Sequence, residues 1–372
     1  MRIVVTGASG FLGWHTRLRL GALTRHEVIA VSRENWAELG SVVSNADAII
    51  HLAGVNRGKS DRVVEAENIS IGTDVANAVS AAAKPLRVVM SGTIQVRHDN
   101  GYGRGKLAAQ RAIADATTSA GGHFVDVCLP NLFGEHGRPG YNSFVATFVS
   151  AIVSGEMPRI ENNTVELLHA QDAVQALMNA LETDVPYLRP SGVQTSVVEV
   201  WEMLQEFHRS YYQVGEFPDL SSKFRIDMFN TYRSALFPDH YPIRLVPHSD
   251  SRGSFVETVR CRGGEGQSSF STTFPSITRG EHYHLVKIER FAVIQGKARI
   301  SLRKMFTNEV VDFDVTGDQP VAVDMPVGWV HNITNTGHDT LLTQFWSHEL
   351  FRLDAPDTFA EPVRPKTEES AF

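Results

Sequence analysis

Four side chains in the last third of the chain have the types and spacing of a metal site. His282 and His284 stand two apart, so a strand would send both imidazoles from one face. Glu289 follows a short break, and Glu289-Arg-Phe-Ala-Val-Ile-Gln-Gly296 reads as a strand closing on a turn glycine. Further on, Pro326-Val-Gly-Trp-Val-His331 supplies a turn that can return a third imidazole to the first two. Three imidazoles and one carboxylate inside a small barrel form a borderline-to-hard donor set, suited to Zn, Mn, Fe or Ni.

A second constellation lies upstream. Tyr102 and Lys106 are four apart, on one face of a helix start. A nearby ammonium and the positive ring of a nicotinamide would lower the phenol's pKa, so that Tyr102 could exchange a proton near neutral pH. Thr93, ending the preceding apolar run, can hydrogen-bond the same substrate oxygen. Near the start, Gly7, Gly10, Phe11, Leu12 and Gly13 belong to a turn between a strand and a helix. Glycines three apart let the backbone lie close to a pyrophosphate, and the helix N-terminus supplies amides and positive dipole. The next strand ends on Ser32 and Arg33 without the acid that would bind the ribose hydroxyl of NAD; a guanidinium suits the 2′-phosphate of NADP, so NADPH is expected. Leu52, Ala53 and Gly54 close a third strand, with small residues that let a cofactor approach. Arg138-Pro-Gly-Tyr-Asn142-Ser143 stands where a diphosphate needs polar partners, making Arg138 and Asn142 substrate-binding candidates.

The elements that must position these groups fall into two patterns. Through residue 245, apolar strands alternate with helical segments, which predicts a doubly wound parallel sheet, a Rossmann-type α/β domain over 1–245. Within it, residues 197–212 give a helical core pattern, while 213–245, rich in Pro and aromatic residues, read as an irregular close. From 246 short strands alternate with Gly-rich turns, which predicts an all-β barrel over 246–372.

Composition sets outer limits. The chain has 372 residues, 21% charged and 42% hydrophobic, enough for two or three ordinary soluble cores. A net charge of −7 and the lack of a dense Lys/Arg run argue against nucleic acid as a partner. Cys128 and Cys261 fall in different expected domains, so no disulfide framework is expected. A buried strand beginning at residue 2 leaves no room for a signal peptide, and no apolar run reaches the roughly 18 residues of a membrane span. No membrane partner and a cytoplasmic location are therefore expected.

Residues 1 to about 240 resemble the extended short-chain dehydrogenase/reductases (SDR), the subclass acting on nucleotide-linked sugars. The likeness rests on Thr6 to Gly13, His51-Leu-Ala-Gly54, Tyr102 with Lys106, Leu129-Pro-Asn131-Leu-Phe-Gly134, and Val165-Glu-Leu-Leu-His169-Ala-Gln-Asp172. It implies Thr93, Tyr102 and Lys106 as catalytic residues and Asn131 beside the sugar nucleotide. Thr93 departs from the commoner Ser, and Gly105 from the usual Tyr-x-x-Ser-Lys. His282-x-His284, Glu289 and Gly296, followed by Pro326-x-Gly-x-x-His331-x-x-x-Asn335, resemble the two motifs of the cupins, which are jelly-roll barrels. Asp250-Ser-Arg252-Gly253 and Thr278-Arg279-Gly280-x-His282 resemble keto-sugar 3,5-epimerases, in which that histidine is the base. Arg252 is thereby a substrate-binding candidate, and His282 is either base or metal ligand.

Nearly the whole chain resembles the fused reductase–cupin enzymes of capsular polysaccharide and O-antigen (lipopolysaccharide) synthesis, through His51 to Arg57, Pro130 to Gly134, Tyr141 to Ser143 and Pro326 to Asn332. That resemblance implies an oxidoreductase and isomerase acting on a UDP-linked 4-keto sugar. The cupin would invert carbon 3 of a UDP-2-acetamido-2,6-dideoxy-4-hexulose, and the reductase would reduce carbon 4 with NADPH. The product would be UDP-2-acetamido-2,6-dideoxy-L-talose, a precursor of N-acetyl-L-fucosamine. Zinc in the cupin and a homodimer formed through it are also implied. A different reading keeps the reductase and makes the cupin a non-catalytic, metal-stabilised dimerisation module. A dehydratase or 4-epimerase with permanently bound NAD is disfavoured, since Arg33 is not acidic and Ile94 and Gln95, not an acidic pair, follow Thr93.

Overall fold

The computed structural model describes residues 1–97 and 99–365. The chain forms two compact units, Met1–Thr147 with Ile160–Val198, and Phe148–Arg159 with the chain from Glu199 on. In the first, β1 (Arg2–Thr6), β2 (Glu27–Val31), β3 (Ala48–His51), β4 (Arg87–Thr93) and β5 (His123–Leu129) join Tyr187–Leu188 in one parallel sheet. The order is β2-β1-β3-β4-β5, then Tyr187–Leu188. Ile3 and Val5 of β1 enter a core with Val127 and Leu177, whereas Val4 enters the opposite core with Val75 and Ile113. A sheet covered on both faces needs apolar residues at both parities, hence the continuous apolar runs of its strands. Because β2 and β3 flank β1 on opposite sides, a crevice opens at the carboxyl ends of β1 and β3.

The helices of this unit that border the crevice are α1 (Phe11–Leu23) and, after α2 (Leu39–Ser44), α3 (Asp61–Ala82) and α4 (Gly101–Ser119). Ser60 caps α3, its Oγ accepting from the Val63 amide at 3.3 Å, and Asn100 caps α4, its Oδ1 accepting from Gly103 at 2.7 Å. The two helices meet through small residues. A Cβ on Gly72 would lie 2.3 Å from Ala109 Cβ, and one on Gly105 would lie 2.9 Å from both Asn68 Cβ and the Glu65 carbonyl. The departure at Gly105 therefore has a physical cause: α3 leaves no room for a serine there.

The second unit holds two five-stranded antiparallel sheets. One orders Ile243–Arg244, Val321–Met325, Glu289–Gln295, Leu341–Ser347 and Gln267–Thr273; the other orders Val310–Thr316, Lys297–Lys304, Trp329–Asn335, Thr278–Tyr283 and Phe359–Ala360. Phe291, Val293 and Val323 of the first meet Ile300, Leu302 and Ile333 of the second in one core, the two-sheet arrangement of a cupin jelly roll. Within the stretch expected to be irregular the structure forms a helix, Lys223–Ser234, capped by Ser222. It buries Met228, Phe229 and Tyr232, but also Asp227, Asn230 and Arg233, which broke the apolar stripe that would have announced it. Those polar groups are used: Asn230 Nδ2 donates to the Val286 carbonyl at 2.7 Å and Arg233 Nη1 to that of Met325 at 2.6 Å. Among the described residues, no helix is long and apolar enough to cross a membrane.

Candidate functional site

The chain leaves β1 through Gly7 at φ +69°, where a Cβ would fall 2.8 Å from the Ala53 amide nitrogen. Gly13 is equally constrained, since its Cβ would lie 2.1 Å from the Gly7 carbonyl oxygen. Gly10 begins α1 with no side-chain cap and no acid in the first turn, so the helix's amides and positive end stay available to an anion. Thr6 Oγ1 and His51 Nδ1, 2.7 Å apart, tie the ends of β1 and β3 together.

A cleft of about 1190 Å³ opens here. Gly7, Gly10, Phe11, Leu12, Gly13, Ser32, Arg33, Leu52, Ala53 and Gly54 line it, together with Thr93, Tyr102 and Lys106. Asn131, Arg138 and Asn142 line the same cleft. Sequence reasoning passed over Glu34, which also lines it and accepts from Ser32 Oγ at 3.1 Å. The cleft wall after β2 therefore carries a carboxylate as well as the Arg33 guanidinium.

Lys106 is 4% exposed, and burial lowers its ammonium to about 8 although Asp126 pulls the other way. Asp126, in β5 opposite Met90 of β4, is itself raised to about 6 by burial against the pull of Lys106. Gln110 Nε2 donates to its Oδ2 at 3.0 Å. The sequence held a signal for this carboxylate, an acid inside the apolar run Val125-Asp126-Val127-Cys128. Burial, and then Tyr141, push the Tyr102 phenol up to about 12. Desolvation of the buried phenol, and not the lowering expected from Lys106, sets the direction in the chain alone.

Arg57 Nη1 donates to the Gly140 carbonyl at 2.8 Å, and the guanidinium carbons of Arg57 and Arg138 lie 6.0 and 5.4 Å from the centre of the Tyr141 ring. Behind this loop Glu135 is fully buried. Burial opposes its ionisation, yet His169, 3.3 Å away, and His15 hold the carboxyl at about 2. His15 Nε2 also donates to the Glu135 carbonyl at 3.0 Å, anchoring the loop to α1. Arg252 has no such enclosure. It sits on the turn between Pro247–Asp250 and Gly253–Val256, 88% exposed and paired with Asp250.

In the second unit, His282, His284, Glu289 and His331 place one potential ligand atom each within 4.8 Å of one another. His282 pairs across the ladder with His331 after a bulge at Glu281, whose φ is +61°. The bulge sets the two imidazoles side by side, ring centres 4.5 Å apart. Glu289 enters from the opposite sheet. The His331 Nδ1 faces the Trp329 carbonyl at 3.1 Å and the His284 Nδ1 that of Asp357 at 2.5 Å. A carbonyl only accepts, so each ring carries its proton on Nδ1 and turns an Nε2 lone pair inward. Both lone pairs then face Glu289 Oε2, at 3.1 Å from His284 and 3.3 Å from His331. Acceptors aimed at one another need a cation between them, and a buried imidazolium is a poor one: burial lowers the pKa of His331, and pushes His282 down to about 3. The residues therefore fit a divalent metal held by three nitrogens and one oxygen.

Comparison with known proteins gives matching results for both units. Residues 3–188 match the NAD dependent epimerase/dehydratase family, and residues 248–359 match the polysaccharide biosynthesis C-terminal domain. A UDP-2-acetamido-2,6-beta-L-arabino-hexul-4-ose reductase from Pseudomonas aeruginosa is 33% identical over 97% of this chain and 98% of its own length. The spore coat polysaccharide biosynthesis protein SpsL of Bacillus subtilis is 28% identical over 31% of this chain and 82% of that protein. Among solved structures, the capsular polysaccharide assembling protein CapF from Staphylococcus aureus is similar with a TM-score of 0.63 and 33% identity, covering 98% of this chain and 100% of that one.

Proposed function

This chain belongs to the NAD dependent epimerase/dehydratase family and continues into a polysaccharide biosynthesis C-terminal domain, and on that footing we propose that it reduces a UDP-linked 4-keto sugar for capsule or O-antigen synthesis. The observation that carries the reading is the single cleft whose walls include the glycine turn, Thr93, Tyr102, Lys106 and Asn131. NADPH, when bound, supplies a hydride to carbon 4. Tyr102 gives its proton to the carbon-4 oxygen as the carbonyl becomes an alcohol, and Thr93 donates a hydrogen bond to that oxygen beforehand. Lys106 holds the nicotinamide ribose and lowers the cost of the phenolate left behind. Arg33 favours the 2′-phosphate, and Arg138 and Asn142 serve the sugar diphosphate.

The second unit adds epimerisation at carbon 3. A 4-keto group acidifies that hydrogen, because its removal gives an enolate. A base takes the proton from one face and a solvent-derived proton returns on the other, inverting the centre. His282, His284, Glu289 and His331 would hold a divalent metal such as zinc, which would supply Lewis acidity to the keto sugar. His282 is the least enclosed of the three imidazoles, so with His284, Glu289 and His331 alone holding the metal it would instead serve as the base. The product of both steps is UDP-2-acetamido-2,6-dideoxy-L-talose. Exposed Phe255, Phe270, Phe274 and Ile277 on this unit support a homodimer formed through it.

The test supplies the 4-keto product of a UDP-N-acetylglucosamine dehydratase, with NADPH, in deuterated water. Expected are NADPH oxidation and deuterium at carbon 3. Tyr102→Phe should slow NADPH oxidation by roughly 10²-fold or more while leaving deuterium entry intact. NADPH oxidation without deuterium at carbon 3 would favour the alternative, a reductase whose cupin only binds metal and dimerises. Unslowed oxidation by the variant would remove Tyr102 from its role.

A further inference from the structure

The C-terminal segment runs back over the strand that bears His282 and leads into His284. Phe359–Ala360 pairs antiparallel with Thr278–Tyr283, setting Ala360 opposite His282 and Phe359 opposite Tyr283. Just before this pairing Asp357 adopts φ +42°, in the left-handed region that Asp and Asn tolerate better than most residues. Its carboxylate accepts three consecutive amides, Leu285 on Oδ1 at 2.9 Å, and Val286 and Lys287 on Oδ2 at 2.9 and 2.7 Å. Its main-chain carbonyl accepts from His284 Nδ1 at 2.5 Å. Lys287 Nζ returns the grip, donating to the Pro356 carbonyl at 2.6 Å and to Thr358 Oγ1 at 3.3 Å. One residue therefore holds the His284–Lys287 turn twice, by side chain and by main chain.

His284 lies one residue beyond its strand, which ends at Tyr283, so the sheet ladder does not fix its ring. The Asp357 carbonyl does. An acceptor at Nδ1 sets the proton there and points Nε2 at Glu289, and neutral imidazole nitrogens coordinate through such a lone pair. The three amide bonds keep residue 357 in place, and its left-handed backbone aims the carbonyl. We infer that Asp357 is a positioning residue of the metal centre, fixing the orientation and tautomer of His284 so that metal retention depends on the C-terminal segment. The inference rests on the metal reading of His282, His284, Glu289 and His331.

The experiment measures zinc affinity and zinc release to a chromogenic chelator in full-length wild type, Asp357→Ala, Asp357→Gly, Asp357→Asn and Glu361→Gln, with the visible spectrum of each protein after cobalt loading. Asp357→Ala should bind zinc about 10–100-fold more weakly and shift the cobalt spectrum. Asp357→Asn keeps an acceptor and the backbone preference, and should recover most of the affinity. Glu361, whose carboxylate accepts from Arg303 at 2.8 Å, is the control for general loosening of the segment, and Glu361→Gln should retain wild-type affinity. Wild-type zinc affinity and cobalt spectrum in Asp357→Ala overturn the inference, and so does an equal loss in Asp357→Ala and Glu361→Gln. If Asp357→Ala does not fold, Asp357→Gly, which suits the left-handed backbone but lacks the carboxylate, decides by the same criteria. A wild type that binds neither zinc nor cobalt overturns the metal reading itself, and the role of Asp357 with it.

Discussion

Replacing Lys106 by Met should stabilise the first unit while ending reduction. The side chain is 4% exposed, and burial lowers its ammonium from 10.5 to about 8. That gap corresponds to roughly 3 kcal/mol of unfavourable folding free energy at neutral pH. The sign follows from counting protons. The unfolded chain keeps this proton up to 10.5 and the folded one releases it from about 8, so the penalty is complete below about 8 and fades as pH rises between the two. Methionine removes the charge in a similar volume. It also leaves Asp126, raised to about 6 by burial, without its nearby cation, which offsets part of the gain. A net stabilisation of about 1–2 kcal/mol at pH 7 is expected, the trade of stability against function found where an active site holds a strained group. The assay is urea unfolding of the cofactor-free protein at about pH 7 and about pH 9.5, following the first unit, alongside NADPH oxidation. The variant's advantage should shrink at the higher pH, and its oxidation rate should be negligible at both. A variant less stable than wild type at pH 7, or an advantage independent of pH, would refute the reasoning, because the ammonium would then be satisfied where it lies.

The remaining predictions concern the cofactor and the metal. Arg33→Ala should cut kcat/KM for NADPH by about 10-fold or more relative to NADH, since only the 2′-phosphate loses a partner; an unchanged ratio would remove Arg33 from cofactor choice. His331→Ala should lose zinc and solvent-deuterium exchange, yet still oxidise NADPH with a keto sugar already inverted at carbon 3; retained zinc in the purified variant counts against the four-residue site.

Much of both candidate sites is legible in the amino-acid sequence because the chemistry proposed for them calls for residues that stand out locally. Gly7 and Gly13 are glycines since a Cβ at either would strike neighbouring backbone. Tyr102 and Lys106 are four apart because one turn of α4 must present both to the cleft. The histidine pair survives as a signal although His284 lies just past its strand, because the candidate ligands need only converge and need not share a ladder. What escapes is whatever depends on tertiary register. The bulge that brings His282 opposite His331 is one residue, Glu281, and becomes meaningful only when the partner strand is aligned. The helix Lys223–Ser234 is hidden by buried polar residues that pair with backbone far along the chain.

Two acids inside apolar strands show why such residues cannot be assigned a role from sequence alone. Asp126 and Asp324 have similar settings, Val125-Asp-Val and Val323-Asp-Met, and both are buried. Asp324 receives a bidentate guanidinium, Arg290 Nε at 2.6 Å and Nη2 at 2.8 Å, together with the Tyr211 hydroxyl. Burial works against the charge of Arg290, but Asp324 holds its pKa above the usual range. That pair is satisfied and ties the segment bearing Tyr211 to the barrel. Asp126 instead has one amide donor at Oδ2, while Lys106 acts on it through charge. Its pKa and that of Lys106 are drawn toward each other, as happens when burial is only partly repaid. One carboxylate cements a fold and the other only partly offsets the burial that draws a cleft lysine toward neutrality, and the difference lies in the neighbour that the sheet register supplies.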